Sequence, residues 1–145
     1  MTAAQNKAGS DGRRILVVDD SPTIRSLLRK TLALRAYEVE EAADGWDALA
    51  LLERNPAFDL AIIDLLMPRL DGLSLVQRIR NNPGFPAMPI VILTGEDIDF
   101  AAGPPMGTDA VLVKPFAPRG LLDLVGRLCL KKMTDARASE PAGPG

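Results

Sequence analysis

The chain has no histidine and a single cysteine, Cys129, among its 145 residues. The absence of imidazole excludes histidine-based acid–base catalysis and the serine or cysteine triads that depend on it. One cysteine forms no intramolecular disulfide and anchors no zinc cluster. Any metal ion must therefore be held by oxygen ligands, which are the ligands that magnesium, calcium and manganese prefer.

Charge of one sign and long apolar runs are also scarce. Lys and Arg total 17 against 19 for Asp and Glu, a formal net charge of -2. Such a balance produces no basic field for nucleic acid or anionic lipid. No apolar run reaches the length of a membrane span, and residues 1–12 lack a signal-peptide core. We therefore expect no direct nucleic-acid contact, no membrane insertion and a cytoplasmic location.

The length and composition are those of one globular domain. Hydrophobic residues make up 47% and charged residues 25%, the usual mixture for a chain with a buried core. Residues 1–12 are small and polar, and residues 134–145 are rich in Ala, Gly and Pro without apolar periodicity. We predict disordered tails over these two ranges and one folded domain over residues 13–133.

Five short segments rich in β-forming residues alternate with helical patterns. Four are apolar throughout, as in strands covered on both faces, whereas YEVEEA alternates and is expected at a sheet edge. The predicted strands are Ile15–Val18, Tyr37–Ala42, Leu60–Ile63, Ile90–Leu93 and Ala110–Val113. Alternation of strands and helices with short links predicts an α/β fold, a parallel sheet doubly wound with helices on both faces.

Helix signals follow four of these strands. Ser21-Pro22 is typical of a helix start, and Asp44 is suited to cap a second helix. Apolar residues at helical spacing predict a third helix after strand three and a last one after strand five. Between Glu96 and Asp109, two adjacent prolines and flanking glycines interrupt the pattern. The fourth helix is therefore predicted to be shortened or disordered.

Chemistry-bearing residues follow the predicted strands. Asp19 and Asp20 end strand one, Asp64 ends strand three, Thr94 ends strand four, and Lys114 follows strand five. In an open parallel sheet these positions meet at the carboxyl edge, where ligands bind. Carboxylates so close repel one another and recruit a cation, magnesium or manganese. One carboxylate would be a nucleophile for a phosphoryl group, but the residues alone leave open which one.

The order of five segments is more specific than any one of them. The chain carries ILVVDDSPTIRSLL, EAADGWDALALL, DLAIIDLLMPRLDGLSLV, PIVILTG and VLVKPF, in that order. Over almost the whole predicted domain it resembles the receiver domain of bacterial two-component response regulators. The resemblance implies a flavodoxin-like fold, a five-stranded parallel sheet in the order 2-1-3-4-5.

The resemblance also implies roles for individual residues around the expected metal. It makes Asp64 the phosphoacceptor and Asp20 a direct magnesium ligand, with Asp19 acting mainly through water. Asp64 and the backbone carbonyl of Leu66 complete the implied protein ligands. Because that last ligand is a carbonyl oxygen, a leucine side chain does not disqualify the position.

Further roles are implied at the ends of strands four and five. Thr94 matches the hydroxyl that follows the phosphoryl group, and Lys114 matches the lysine that pairs with its oxygens. Pro115 matches a proline preceded by a cis peptide bond. The position that carries a switching aromatic residue in many receivers is Val111 here. The interval from Thr94 to Lys114 is shorter than the resemblance leads us to expect.

The implied function is phosphorelay signal transduction. The phosphoryl donor would be a sensor histidine kinase or a histidine phosphotransfer protein, and the output a contact with a downstream protein target. Such a chain is not an enzyme beyond catalysing its own phosphorylation and dephosphorylation. A homodimer is left open, as is the choice between a stand-alone regulator and the receiver of a longer protein.

Val111 and the short fourth segment motivate an alternative function. The chain could be a receiver-like interaction module with phosphorylation-independent or atypical switching. Two other classes fit less well. A phosphohydrolase with an aspartate nucleophile would carry two acids flanking one residue after strand one, but Asp19 and Asp20 are adjacent. A flavin-binding domain would carry hydroxyls and amides there, because two acids repel its phosphate.

Overall fold

A computed structural model describes residues 13–95 and 103–138, and it describes only the backbone of residues 131–138. The described elements alternate between strand and helix until β4. In chain order they are β1 (Arg14–Val18), α1 (Pro22–Ala33), β2 (Glu38–Ala42), α2 (Gly45–Arg54), β3 (Leu60–Asp64), α3 (Gly72–Arg80), β4 (Ile90–Thr94), β5 (Ala110–Val113) and α4 (Pro118–Ala138).

The strands form one parallel sheet in the order β2-β1-β3-β4-β5. This confirms the predicted doubly wound architecture and its strand order. The register is set around β1, where Ile15 lies opposite Val39 of β2 on one side and Leu60 of β3 on the other. The order reverses between β1 and β3, so the carboxyl ends of these two strands flank the crevice in which such folds bind ligands.

Helices cover both faces of the sheet through two separate apolar clusters. Leu16 and Val18 of β1 face α2 and α3, whereas Ile15 and Val17 face α1 and α4. Since successive strand side chains point to opposite faces, one apolar strand serves both clusters. Fully burying each such side chain contributes about 1.5–3 kcal/mol to folding. Cys129 lies in the second cluster and is buried, as expected of a small core residue.

The two edge strands differ from each other. β2 lies at one edge, as its alternating pattern predicts. β5 forms the other edge, where Ala110 to Leu112 are half-buried and Val113 is 50% exposed. The expectation that AVLV is covered on both faces was therefore wrong. A strand paired on one side only, as β5 is with β4, leaves its outer flank open.

The first three helices begin at side-chain caps. Ser21 Oγ accepts a hydrogen bond from the Ile24 amide at 3.2 Å, and Asp44 accepts one from the Asp47 amide at 2.9 Å. Asp71 caps α3 in the same way, and Pro22 occupies the first turn of α1. Each cap stabilises its helix by about 1 kcal/mol. Both predicted helix starts, at Ser21-Pro22 and at Asp44, are confirmed.

The connection from β4 to β5 has no helix in its described part. Residues 96–102, on which the predicted fourth helix largely falls, lie outside the described residues. Residues 103–109 form turns in which Gly103 and Gly107 adopt positive φ angles of 107° and 87°. Asp109 fastens this stretch, because its carboxylate accepts from the Ile90 amide at 2.8 Å and pairs with Arg80 at 3.2 Å.

The last helix is longer than the sequence pattern indicates. α4 runs to Ala138, so the predicted domain end at Met133 lies inside the helix. The segment after Met133 lacks apolar periodicity, but alanine and arginine have high intrinsic helix propensity and continue the helix. Residues 1–12 and 139–145 lie outside the described residues. Among the helices described, none has the length and apolar character needed to cross a membrane.

Candidate functional site

Three carboxylates meet at the carboxyl edge of the sheet. Asp19 and Asp20 follow β1, and Asp64 is the last residue of β3. One carboxylate oxygen from each lies within 4.8 Å of the others. Because β1 and β3 are neighbours in a parallel sheet, their last residues come together even though the chain between them is long. The structure thus brings together the three acidic residues that the sequence pattern selected.

Asp19 is fully buried, and its two carboxylate oxygens have different surroundings. Oδ1 accepts a hydrogen bond from the Ser21 amide at 2.9 Å. Oδ2 has no hydrogen-bond partner among the described residues, although Lys114 Nζ lies at ion-pair distance, 3.3 Å away. A buried carboxylate oxygen without a hydrogen bond is costly. This oxygen therefore has the capacity to accept a further ligand.

Asp64 is nearly buried, with 5% of its surface exposed. Burial raises the pKa of the Asp64 carboxyl above its ordinary value of 3.8, and the negative charge of Asp19 raises it further. Lys114, whose Nζ lies 3.5 Å from Asp64 Oδ1, and a backbone hydrogen bond from Leu66 lower the pKa but do not offset the increase. The pocket is therefore short of positive charge.

The ends of β4 and β5 are joined beside the carboxylates. The Lys114 amide donates to the Thr94 carbonyl oxygen at 2.7 Å, which places the side chain of Lys114 over the carboxyl edge. Thr94 is buried, with 1% of its surface exposed. The peptide bond between Lys114 and Pro115 is cis, the isomer that the sequence resemblance implies. Both residues selected on these strands therefore lie at the same edge as the acidic cluster.

Two other residues singled out from the sequence, Leu66 and Val111, contribute no charged or polar side chain to the pocket. Leu66 follows β3 and exposes 58% of its surface, so its contribution to the pocket comes through its backbone. Val111 lies opposite Ile92 in the sheet and packs, partly buried, against the cluster under α2 and α3. The Val111 side chain therefore belongs to this apolar cluster.

Gly72 has a role that its local sequence does not indicate. An Asp-Gly pair is typical of turns and helix caps, and Asp71 does cap α3 by accepting a hydrogen bond from the Ser74 amide. A Cβ atom on Gly72, however, would lie only 2.3 Å from the backbone oxygen of Asp64. Glycine is therefore required so that α3 can begin directly against the end of β3. Only the packing of the helix on the strand reveals this requirement.

Arg25 of α1 is a second residue that sequence reasoning missed. Its Nη1 donates to the backbone oxygen of Asp19 at 2.7 Å, and its Nε donates to Glu41 at 3.0 Å. An arginine in an amphipathic helix is usually solvated, so the sequence contains no signal that separates Arg25 from the other basic residues of α1.

The donor set of the pocket fits a hard divalent cation. All the candidate ligands are oxygens, and Asp19 Oδ2 is buried without a hydrogen bond from any residue that the structure describes. Mg²⁺ prefers oxygen ligands and uses one or two carboxylates while keeping several waters. Burial first and the charge of Asp19 second raise the pKa of Asp64, and positive charge beside the cluster would oppose both effects. Asp19, Asp20 and Asp64 could therefore hold such an ion.

A doubly wound parallel sheet with an acidic pocket at its switch point defines the class to which this chain belongs. The model of one protein family, described as the response regulator receiver domain, matches residues 15–126. The chain belongs to the response regulator receiver domain family. The receiver fold and family predicted from the sequence are confirmed, and the chain is a domain of phosphorelay signalling.

Curated relatives and solved structures agree with this assignment. Response regulator MprA from Mycobacterium sp. (strain KMS) is 39% identical over 131 residues, covering 89% of this chain and 56% of that protein. The chain thus spans just over half the length of this relative. Protein PilG of Pseudomonas aeruginosa is 38% identical over 119 residues, covering 80% of this chain and 87% of PilG.

The structure of chemotaxis protein CheY4 from Vibrio cholerae is similar to this one throughout its length. It superimposes with a TM-score of 0.74 at 38% identity, covering 81% of this chain and 98% of CheY4. A putative response regulator from Chloroflexus aurantiacus gives a TM-score of 0.73 at 33% identity. The described fold is therefore that of a CheY-like receiver.

Proposed function

We propose that Asp64 accepts a phosphoryl group and that the phosphorylated chain signals through contacts with another protein. The observation that carries this proposal is the convergence of three carboxylates within 4.8 Å of one another, with Lys114 Nζ at 3.5 Å from Asp64. A nucleophile, a cation site and a fixed ammonium are the groups that phosphoryl transfer requires.

The place of Asp64 in the sheet favours it over the other two acids. β3 lies between β1 and β4, so Asp64 has Asp19 on one side and Thr94 on the other. Asp19 is fully buried and already accepts a hydrogen bond from the backbone. Asp20 is exposed and lies in the loop after β1. Asp64 alone is flanked by groups on both sides while keeping a small opening to solvent.

The proposed reaction is an in-line displacement. A carboxylate oxygen of Asp64 attacks phosphorus while the bond from phosphorus to the imidazole nitrogen of the donor breaks, and that nitrogen keeps the electron pair. The Lys114 ammonium attracts the phosphoryl oxygens, and the Thr94 hydroxyl donates a hydrogen bond to one of them. Water later attacks the same phosphorus while the bond from phosphorus to the Asp64 oxygen breaks, which releases inorganic phosphate and restores the carboxylate. The proposed chemistry is thus limited to the phosphorylation and dephosphorylation of the chain itself.

The residues assigned to the cation are Asp20, Asp64 and the backbone carbonyl of Leu66, with Asp19 acting mainly through water. When bound, Mg²⁺, or Mn²⁺ in its place, supplies positive charge that neutralises the phosphoryl oxygens in the transition state. Asp64 must be ionised to attack, and its raised pKa makes that requirement harder to meet without a cation.

The partners follow from this chemistry. A sensor histidine kinase or a histidine phosphotransfer protein would supply the phosphoryl group, and a downstream protein would receive the signal in the cytoplasm.

Valine is short and stiff at its first side-chain torsion, so Val111 cannot signal by the swing of an aromatic ring. We propose that the output depends on Thr94 and Lys114, at the carboxyl ends of β4 and β5. A homodimer is one form that the output could take.

Phosphorylation by a small donor tests the proposal. The full chain is incubated with Mg²⁺ and acetyl phosphate, and intact mass is measured, or with beryllofluoride, and the amide NMR spectrum is recorded. Wild type should gain one phosphoryl group and shift its spectrum, whereas Asp64→Asn should do neither. Asp71→Asn is the matched control, because asparagine caps a helix as well as aspartate does.

Two outcomes would contradict the proposal. Phosphorylation of Asp64→Asn at the wild-type level would place the acceptor elsewhere. No response of wild type to either reagent would favour the receiver-like interaction module that does not use phosphorylation. The Asp71→Asn control should respond as wild type does, because Asp71 lies in the connection between β3 and α3 but outside the cluster of Asp19, Asp20 and Asp64.

A further inference from the structure

Arg25 of α1 hydrogen-bonds to the peptide unit between Asp19 and Asp20, the two acidic residues after β1. Arg25 Nη1 donates to the Asp19 carbonyl oxygen at 2.7 Å. This oxygen belongs to the same planar peptide unit as the amide of Asp20. The guanidinium therefore holds the plane whose orientation sets the direction of both neighbouring side chains.

Arg25 is itself anchored at its other end. Its Nε donates to Glu41 Oε1 of β2 at 3.0 Å, and the second oxygen of Glu41 accepts from Arg29 Nε at 2.6 Å. Hydrogen bonds from Arg29 and then Arg25 lower the pKa of Glu41 in spite of its burial, so the carboxylate stays charged. Arg25 is only 17% exposed, whereas Arg29 is 49% exposed. The planar guanidinium of Arg25 thus bridges β2 to the end of β1.

Two further hydrogen bonds fix the position of Asp19. Its amide donates to the Ala42 carbonyl oxygen at 3.2 Å, and its carboxylate accepts from the Ser21 amide. Asp20, by contrast, is exposed, and no side chain among the described residues bonds to its carboxylate. The direction in which the Asp20 carboxylate points therefore depends on the orientation of the Asp19–Asp20 peptide plane, to which Arg25 donates a hydrogen bond.

We propose that Arg25 is a positioning residue for the cation site: it fixes the Asp19–Asp20 peptide so that both carboxylates converge with Asp64. Arg25 touches neither the cation nor the phosphoryl group. The inference rests on the proposed function, since it assigns Arg25 to the metal site described there. Groups that orient metal ligands raise affinity because the ligands need no rearrangement on binding.

A pair of matched variants separates this role from simple structural support. Arg25→Met and Arg29→Met each remove one cation from Glu41, but only Arg25→Met releases the Asp19 carbonyl oxygen. Mg²⁺ binding to the full chain is measured by titration calorimetry. We expect the dissociation constant of Arg25→Met to rise about tenfold, the lower end of the effect of losing an orienting partner, and that of Arg29→Met to stay near wild type.

Two further measurements cover a variant that folds poorly. Arg25→Lys keeps a charge and a donor but cannot bond to Glu41 and Asp19 at once, so its Mg²⁺ affinity should fall between wild type and Arg25→Met. Without metal, the amide resonance of Asp20 should move in both Arg25 variants and stay in place in Arg29→Met. With saturating Mg²⁺, the phosphorylation rate of Arg25→Met by acetyl phosphate should return toward wild type, because the variant weakens metal binding and leaves the reacting groups intact.

Wild-type Mg²⁺ affinity in Arg25→Met and Arg25→Lys, or equal weakening in Arg25→Met and Arg29→Met, would overturn the inference. These results differ from a failure of the proposed function. If wild type binds no Mg²⁺ and Asp64 is not phosphorylated, the proposed function fails and the inference fails with it. If wild type binds Mg²⁺ and is phosphorylated on Asp64, but the Arg25 variants match it, only the role of Arg25 is rejected.

Discussion

Lys114 Nζ lies 3.3 Å from the buried Oδ2 of Asp19, so the residue after β5 reaches across the carboxyl edge to the residue after β1. The same ammonium lies 3.5 Å from Asp64. One cation therefore serves two nearly buried carboxylates, and the raised pKa of Asp64 indicates that it does not fully compensate them. This imbalance makes the pocket receptive to a second cation and leads to the first four predictions.

Replacing Lys114 by methionine should destabilise the folded chain. The buried Asp19 carboxylate would lose its neighbouring cation, and an unpaired buried charge is unfavourable. Because Lys114 is 24% exposed, water offsets part of the loss, and we expect the free energy of unfolding to fall by about 1–3 kcal/mol. Urea denaturation measures the change. Lys30→Met, an exposed lysine in the last turn of α1, is the control, and an equal loss in both variants would reject the prediction.

The pKa of Asp64 should respond in opposite directions to its two charged neighbours. Asp19→Asn removes a negative charge and should bring the pKa of Asp64 down toward 3.8, whereas Lys114→Met removes a positive charge and should raise it further. Carboxylate carbon NMR of the metal-free protein follows the titration directly. Shifts of the same sign in the two variants would show that direct charge interactions do not govern this pKa.

The contribution of Asp64 to the free energy of unfolding should decrease as pH rises. Because its pKa is raised in the folded chain, the folded state binds the proton more tightly than the unfolded state does. The contribution is therefore fully present below the unfolded pKa and is lost as pH rises through the folded pKa. In EDTA, Asp64→Asn removes this repelling charge and should be more stable than wild type near neutral pH, by about 1 kcal/mol from the Coulomb repulsion left after partial compensation by Lys114.

Magnesium should remove that difference between wild type and Asp64→Asn. A ligand that binds only the folded state stabilises it, by about 1.4 kcal/mol at roughly ten times its dissociation constant. Thermal unfolding in EDTA and in Mg²⁺ should show a larger stabilisation of wild type than of Asp64→Asn, because the variant lacks one carboxylate ligand. Stabilisation of both proteins by the same amount would place the Mg²⁺ ion away from Asp64.

Gly72→Ala should damage the junction between β3 and α3. The added Cβ would meet the backbone oxygen of Asp64 at 2.3 Å and Leu65 Cα at 2.9 Å, and backbone atoms cannot move aside as flexible side chains do. We expect the free energy of unfolding to fall by about 2–4 kcal/mol. Gly120→Ala in α4 is the matched control. A Cβ there has no neighbour within 4 Å, so this variant should be neutral or more stable by up to about 1 kcal/mol.

Local patterns determined much of the fold before any tertiary information was used. The core positions of β1 to β4, the helix starts at Ser21 and Asp44 and the edge location of β2 follow from side-chain periodicity and capping, which act over a few residues. The residue order at the strand ends, combined with the resemblance, also selected Asp19, Asp20, Asp64, Thr94 and Lys114. The structure places these residues at one edge of the sheet because the carboxyl ends of neighbouring parallel strands meet there, and their individual roles stay predictions.

Two features were not indicated by the apolar pattern. The exposure of Val113 follows from the edge position of β5, which only the assembled sheet establishes. The continuation of α4 to Ala138 agrees with the helix propensity of residues beyond the last apolar repeat. Neither feature has a local signal as strong as an apolar strand or a helix cap. The prediction for Val111 as an atypical switch position stays a prediction.

The sequence by itself determined which chemistry is available: acidic oxygens, a lysine and a threonine, with no imidazole to compete. Tertiary structure alone decided how these groups act on one another. Burial and the charge of Asp19 raise the pKa of Asp64, and the packing of α3 on β3 makes glycine necessary at position 72. Arg25 extends from α1 and donates a hydrogen bond to the Asp19 carbonyl oxygen. The reason is physical, because desolvation, steric contact and hydrogen bonding depend on distances that only folding establishes.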